Sequence, residues 1–358
     1  MNSYDELFSL KGPQERRKDL SGILAAAKKL GHPERKFPTV HVGGTNGKGT
    51  VCFKLAEVLK DNGYRVGLFT SPHLFTYRER IQINGKMIPE EEVFGRLSKI
   101  LPLAEEPTFF DVTTLLAFDY FADEEIDVAV IEVGIGGRLD ATNIVTPILS
   151  IITSIGYDHM AILGETLEEI ATEKGGIIRE GIPVIVGETA ALPPILEKAT
   201  DLTIARNNST DIVRRALKKL PFSIDVGEGI RRRPPCRYEK RGDVIFDVAH
   251  NPTAFERLFK TVQREYPGKK IHLLLGLSKD KDVEDCLEVI ERYTDHIALL
   301  PVEHPRLLPH EAFRIGTPLT AEKALTHAKQ ENAVAVVTGS FYIMSSLKPL
   351  RESLGLLP

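Results

Sequence analysis

Short apolar runs alternate along this chain with longer stretches in which apolar residues recur three and four positions apart. The β-branched run at Thr39, Val40 and Val42, and the segments Val66–Phe69, Val128–Ile131, Ile148–Ile152 and Pro183–Val186, read as strands. Helical spacing fits 51–62, 90–101, 111–122 and 165–179 between them. Strand and helix in alternation predict a parallel sheet built from βαβ units. A second alternating series runs through Val244–Phe246, His272–Leu275, Ile297–Leu300 and Val334–Val337. The composition changes between the two series, over 190–240, where Asn207-Asn208-Ser209, a short helical segment near 211–220 and Arg233-Pro234-Pro235 mark a junction.

The first strand runs into His41-Val42-Gly43-Gly44-Thr45-Asn46-Gly47-Lys48-Gly49-Thr50, and a helix with an apolar face at Val51, Leu55, Val58 and Leu59 follows. Glycines let backbone N–H groups converge on an anion, the helix N-terminus adds positive potential, and Lys48 supplies a point charge for the outer phosphates of ATP. Thr50 offers a hydroxyl to Mg²⁺. Val42 and Gly49 stand where the common phosphate-loop pattern has Gly and Ser or Thr. A plain glycine-rich turn is the structural alternative. The predicted fold is therefore α/β, with an N-terminal P-loop ATPase domain around a mostly parallel sheet (1–205), a junction (206–240) and a smaller C-terminal Rossmann-like α/β domain (241–358).

With 358 residues, the chain is long enough for two cores. A net charge of −4 argues against a nucleic-acid surface and leaves Arg231-Arg232-Arg233 as a solvated linker or a local anion contact. Cys52, Cys236 and Cys286 lack metal spacing and fit a reducing compartment. Met1 to Leu10 has no long apolar core of a signal peptide, and no apolar stretch approaches the ~20 residues of a membrane span. The expected location is the cytoplasm.

Ligands collect at the carboxyl ends of strands in open α/β sheets. Glu132 ends the apolar run 126–131 there, followed by Gly134, Gly136 and Gly137, so it is a candidate for metal and otherwise a solvated strand end. His159, after Asp158, emerges beyond 148–152 on the same edge, as a metal ligand or a hydrogen-bonded loop histidine. Thr166 and Glu169 form a capping pair for a helix whose stripe Leu167, Ile170, Ala171 and Ile178 includes Lys174. An inward lysine gives up its proton more readily and its amine can then take up CO₂, whereas a snorkelling lysine would pair with Glu173 or Glu169. In the second series, Asp247 ends Val244–Phe246, Asn251-Pro252 reads as N-cap and first helical residue, and His250 sits on the short turn between them. Ser340 follows Val334–Val337 in the same way. The structural alternative is that caps and turns also want Asp, Asn and Ser.

Thr-Asn-Gly-Lys-Gly-Thr at 45–50 resembles the ATP loop of the Mur ligase superfamily. Ser71-Pro72-His73-Leu74, Glu79-Arg80-Ile81-Gln82-Ile83-Asn84-Gly85 and Glu132-Val133-Gly134-Ile135-Gly136-Gly137-Arg138-Leu139-Asp140-Ala141-Thr142-Asn143 resemble its folylpolyglutamate synthase/dihydrofolate synthase branch. Asp158-His159, Glu173-Lys174, the segment 247–252 and Thr338-Gly339-Ser340 follow in that family's order. The resemblance implies ATP held by Gly44, Thr45, Asn46, Gly47, Lys48, Gly49 and Thr50, with Arg237 and Asn251. It implies two Mg²⁺ ions on Thr50, Glu132, His159 and a carbamylated Lys174. Ser71, His73, Arg80, His250 and Ser340 would meet substrate, and Lys48, His159, Lys174, Asp247 and His250 would carry catalysis. Cys236 stands where the family usually has Gly and Asp111 where it tends to have Glu. The region 187–230 is shorter than the resemblance leads one to expect.

The implied reaction adds L-glutamate to dihydropteroate or reduced folates through an acyl phosphate, in a monomer with small-molecule partners only. The alternatives are a Mur-type ligase for another acid and a nucleotide switch. The 47 residues before Lys48 are too few for the UDP-sugar domain of a peptidoglycan Mur ligase. A switch would give no reason for a second α/β domain bearing His250 and Ser340.

Overall fold

The structure, a computed structural model, describes residues 4–10, 19–279 and 282–356. Met1 to Ser3, part of the stretch read for a signal, lie outside the described residues. The chain divides into two compact units, Met1–Arg232 and Arg233–Pro358.

The first unit holds β1 (Thr39–Gly43), β2 (Val66–Phe69), β3 (Ile81–Ile83), β4 (Lys86–Met87), β5 (Val128–Glu132), β6 (Leu149–Ile152), β7 (Pro183–Gly187) and β8 (Asp201–Ala205). Their order across the sheet is β4-β3-β2-β5-β1-β6-β7-β8. All neighbours are parallel except β2–β3 and β3–β4. Because β1 lies between β5 and β6, the carboxyl ends of these three strands, with the turns that leave them, come side by side.

Alternation along the buried strands sends Val40, Val42, Val128 and Val130 to one face, where they meet Val51, Leu55, Val58 and Leu59 of the helix Lys48–Asp61. Ala129 and Ile131 face the other way, onto Leu115, Phe118 and Phe121 of the helix Phe109–Asp123. Each such aliphatic or aromatic side chain contributes about 1.5–3 kcal/mol by leaving water. The phosphate loop is thus anchored at both ends in packed core.

Three features differ from the sequence expectation. The helix read over 165–179 is α-helical only over Leu167–Lys174 and finishes as a 3-10 turn at Gly175–Ile177. The glycine pair explains it: a Cβ at Gly176 would lie 2.3 Å from that of Arg138, so this end of the helix lets another backbone approach closely. Within the loop 71–88, β3 and β4 form a hairpin. The helix Ser209–Lys219, assigned to the junction, buries Ile212, Val213, Ala216 and Leu217 in the first unit's core.

The second unit comprises β9 (Glu239–Arg241), β10 (Val244–Phe246), β11 (Ile271–Leu275), β12 (His296–Leu299), β13 (Thr317–Pro318) and β14 (Val334–Thr338), in the order β13-β12-β11-β14-β10-β9. All neighbours are parallel except β9–β10. The helix Pro252–Glu265 packs Phe255, Leu258 and Phe259 on Ile245, Leu273 and Val336. No helix of the described residues is long and apolar enough to cross a membrane.

Candidate active site

Gly44 leaves β1 with φ +134° and Gly47 caps the next helix with φ +91°. The turn after β6 holds the loop between them. The N–H of Thr45 donates to the Ser154 carbonyl (2.8 Å), the N–H of Asn46 to Ser154 Oγ (2.9 Å), and Thr153 Oγ1 to the Asn46 carbonyl (2.8 Å). Thr45 Oγ1 donates to the Gly156 carbonyl, 3.1 Å away. Lys48 reaches back so that Nζ donates to the carbonyls of Gly44 (3.0 Å) and Thr45 (3.3 Å). Gly49 and Thr50 occupy the first turn of the helix.

Lys174, 3% exposed at the end of its capped helix, also donates to the Gly44 carbonyl, at 3.2 Å. Two lysines that are 126 residues apart in sequence therefore share one carbonyl oxygen of the phosphate loop. Glu173 binds Arg138 (2.8 Å), and Glu169 completes the capping box with Thr166. Glu132, 3% exposed, ends β5 and accepts the N–H of Ser71 at 3.0 Å. Burial pushes the Cys52 thiol well up; the Glu132 carboxylate adds to that rise and Lys48 opposes it, so both charges lie within reach of the first helical turns. His159 has φ +53° and follows the 153–156 turn that holds the loop, with Nε2 3.8 Å from Asp158 Oδ1.

The donor set fits a hard divalent cation at Thr50 and Glu132, which offer oxygens. A protonated Lys174 has no lone pair to give. Only a change such as carbamylation turns it into an oxygen ligand.

The string 133–143 is fixed by Asp140, whose Oδ2 accepts the N–H groups of Gly134 (3.1 Å) and Ile135 (3.0 Å). Its other oxygen accepts the N–H of Thr142 at 3.0 Å and that residue's hydroxyl. Thr142 Oγ1 in turn lies 2.8 Å from Nε2 of the fully buried His41, whose pKa burial lowers to about 3. Burial raises the carboxyl of Asp140.

In the loop 71–88, Glu79 accepts the N–H groups of Leu74 (2.7 Å), Phe75 (2.8 Å) and Thr76 (2.8 Å). Arg80 Nε donates to His73 Nδ1 at 2.8 Å, which leaves the His73 proton on Nε2; burial and then Arg80 lower its pKa to about 3. The Arg80 guanidinium lies 5.2 Å from the centre of the Phe109 ring, and Phe8 stacks on that ring at 5.7 Å. Phe8 is 52% exposed.

At the carboxyl edge of the second sheet, the carboxyl of Asp247 is raised by burial and opposed by Arg237 and Arg257. It accepts the N–H groups of Tyr238 and Ala249, both at 2.8 Å. His250 Nδ1 donates to the Val248 carbonyl at 2.7 Å, and the ring lies 5.8 Å from that of Phe341. Arg237 sits over the same Phe341 ring at 4.9 Å, so the structure brings Arg237 and His250 to one aromatic residue. Ser340 Oγ lies 2.8 Å from Ser278 Oγ and caps the helix Phe341–Ser346, while Asn251 caps Pro252–Glu265. Cys236 has φ +53°, a conformation that glycine adopts without strain. Its N–H donates to Glu239 at 2.8 Å, and burial pushes its thiol up to about 12.

Thr153, Ser154 and Phe8 escaped the sequence reading, which quoted Glu79 only within a family-like segment and gave it no role. A polar pair straight after β6 was the available signal for the first two. Phe8 carried none, because nothing local ties residue 8 to residue 109.

Loop, carboxylate and inward lysine on one mostly parallel sheet, followed by a second α/β unit, define a Mur-type ligase. Residues 42–200 match the Mur ligase middle domain and 233–341 the Mur ligase glutamate ligase domain. The chain belongs to the dihydrofolate synthase/folylpolyglutamate synthase family. It is 31% identical to the Bacillus subtilis dihydrofolate synthase/folylpolyglutamate synthase over 394 aligned positions, covering 89% of this chain and 92% of that protein. Escherichia coli FolC in complex with DHPP and ADP superposes with a TM-score of 0.89 at 28% identity, over 98% of this chain and 96% of that one. The Yersinia pestis bifunctional enzyme complexed with AMPPNP and Mn gives 0.88 at 28% identity, over 99% and 97%.

Proposed function

We propose that the chain is an ATP-dependent ligase that joins L-glutamate to dihydropteroate, to a reduced folate, or to both. The observation that carries this reading is the convergence of Lys48 and Lys174 on the Gly44 carbonyl, with Glu132 tied to the loop that leads to His73 and Arg80. It is supported by the complexes with nucleotide, manganese and DHPP in the relatives.

The acceptor's carboxylate attacks the γ-phosphorus of ATP, the bond to the ADP oxygen breaks, and an acyl phosphate forms. Two anionic groups brought together for this step repel by about 4 kcal/mol per unit-charge pair at an effective dielectric of 20. Lys48 offsets part of that, and loop N–H groups orient the phosphates. Thr50, Glu132, His159 and a carbamylated Lys174 would hold two Mg²⁺ ions, which would supply the remaining charge neutralisation. The carbamate forms when the neutral Lys174 amine adds to CO₂ and loses a proton. The glutamate amine then attacks the acyl carbon, and phosphate leaves. Asp247, His250 and Ser340 receive the glutamate; His250, with Nδ1 committed as a donor, has the tautomer of a base at Nε2. Arg237 and Asn251 serve the nucleotide, and Ser71, His73 and Arg80 the pterin. The enzyme works as a monomer in the cytoplasm, where ATP is supplied and its three buried cysteines, none of them in a disulfide, stay reduced.

The test is amide product and ADP release with each acceptor, with and without glutamate. Both acceptors should be used, dihydropteroate more robustly. Extension of folates alone would refute the bifunctional reading, and use of neither would redirect the assignment to a different acid.

A further inference from the structure

The second unit carries a cluster of metal-binding side chains that has no part in the reaction above. His272 on β11 and His296 on β12 are directly paired in register on adjacent parallel strands, and their rings stack at 4.5 Å with 7° between planes. Both stand at the amino ends of their strands, on the opposite rim of the sheet from the turns that bear Asp247 and Ser340. Glu331, at the end of the helix Ala321–Gln330, completes the group, and one ligand atom from each of the three lies within 4.8 Å of the others.

Two details separate this cluster from a chance meeting of polar residues. The His272 side chain is 10% exposed, and its buried Nε2 makes no hydrogen bond of good geometry, facing the Glu331 carboxylate at a long distance instead. Such an atom is costly to leave unmatched in a native core. That Nε2 lies 3.4 Å from Glu331 Oε2. A tetrahedral zinc ion with ligand bonds of about 2.0–2.1 Å separates its ligand atoms by about 3.4 Å, so this pair already spans one edge of a zinc tetrahedron. His296, one-third exposed, has room to turn its ring towards this pair, and its ligand nitrogen already lies within 4.8 Å of both.

We propose that His272, His296 and Glu331 form a binding site for a divalent ion of the zinc class, pinning β11, β12 and the 321–330 helix together at the rim remote from the chemistry. Two imidazoles and one carboxylate suit zinc, cobalt or nickel and disfavour Mg²⁺, which prefers oxygen donors. Lys270, 2.9 Å from Glu331 Oε2, competes for the carboxylate and must share it. Asp295, 3.4 Å from His296 Nε2, adds negative potential beside the site. Water fills the fourth position.

The experiment is calorimetric titration of the chelator-stripped full chain with Zn²⁺, in excess Mg²⁺ and ADP to occupy the phosphate-site metals, together with thermal melting. The wild type should bind about one zinc ion and melt higher with it. His296→Ala and Glu331→Gln, both at partly exposed positions, should stay folded, keep their turnover in Mg²⁺, and weaken zinc binding by more than roughly tenfold. Lys48→Ala should retain zinc binding, which distinguishes this site from the phosphate site. Absence of binding in the wild type, or unchanged affinity in both variants, overturns the proposal.

Discussion

Gly44→Ala tests how tightly the phosphate loop is built into the sheet. A Cβ added at residue 44 would stand 2.1 Å from Thr153 Oγ1 and 2.9 Å from the Thr153 N–H nitrogen, at a φ of +134° that an L side chain rarely adopts. The unusual backbone conformation alone costs about 1–3 kcal/mol. Relieving the contacts requires the loop and the Thr153 turn to part by about 1 Å, and a displacement of that size at a catalytic centre costs roughly 100-fold in rate. Thr153 cannot simply turn away, because its hydroxyl donates to Asn46 and its N–H to the Gly43 carbonyl. Gly47→Ala provides the comparison: its φ is +91°, but nothing lies within 4 Å of the added methyl, so it carries backbone strain alone. Glutamate-dependent ADP release, amide product and melting temperature are measured for both. Gly44→Ala should lose about 100-fold in kcat/KM and melt roughly 2–12 °C lower, with Gly47→Ala affected less in both. A Gly44→Ala enzyme within about threefold of wild-type kcat/KM would show that the 153–156 turn does not fix the loop.

Glu132→Ala should abolish amide formation in a protein that still folds, as judged by circular dichroism; near-normal turnover would remove it from the metal site. Lys174→Ala should be inactive and partly rescued by acetate or formate, and full activity without rescue would end the carbamate reading. For Asp247→Ala and His250→Ala, glutamate KM and turnover should suffer more than ATP binding; collapse of ATP binding with wild-type glutamate kinetics would mean the amino-acid site lies elsewhere. His41, held neutral with a pKa of about 3, gives a pH signature. The unfolded chain takes up a proton below about pH 6.5 that the folded one refuses, so this residue's share of stability falls steadily as pH drops from about 6.5 towards 3. Denaturant midpoints of wild type and His41→Gln should therefore converge as pH falls through that window, and parallel curves would contradict the linkage.

Much of this protein is decided locally. The β-branched run into Gly44–Thr50, the Thr166–Glu169 capping pair and the Asn251-Pro252 helix start are set by backbone conformation, hydrogen bonding and short-range periodicity, and they lie in the structure where the sequence puts them. Elements too short to show a period were not legible: β3 and β4 have three and two residues, and β8 is a half-exposed edge strand without a clean apolar alternation. Sequence placed Lys174 on the inward stripe of its helix but left open whether its amine reached water. The packing of that helix against the loop after β1 brings the amine to Gly44, across 130 residues of chain. The same holds for Phe8 on Phe109 and for His272 beside His296 and Glu331. Sequence determined which groups exist and which local conformations carry them. Only the order of strands across each sheet, fixed by nonlocal burial of both faces, decided which groups meet.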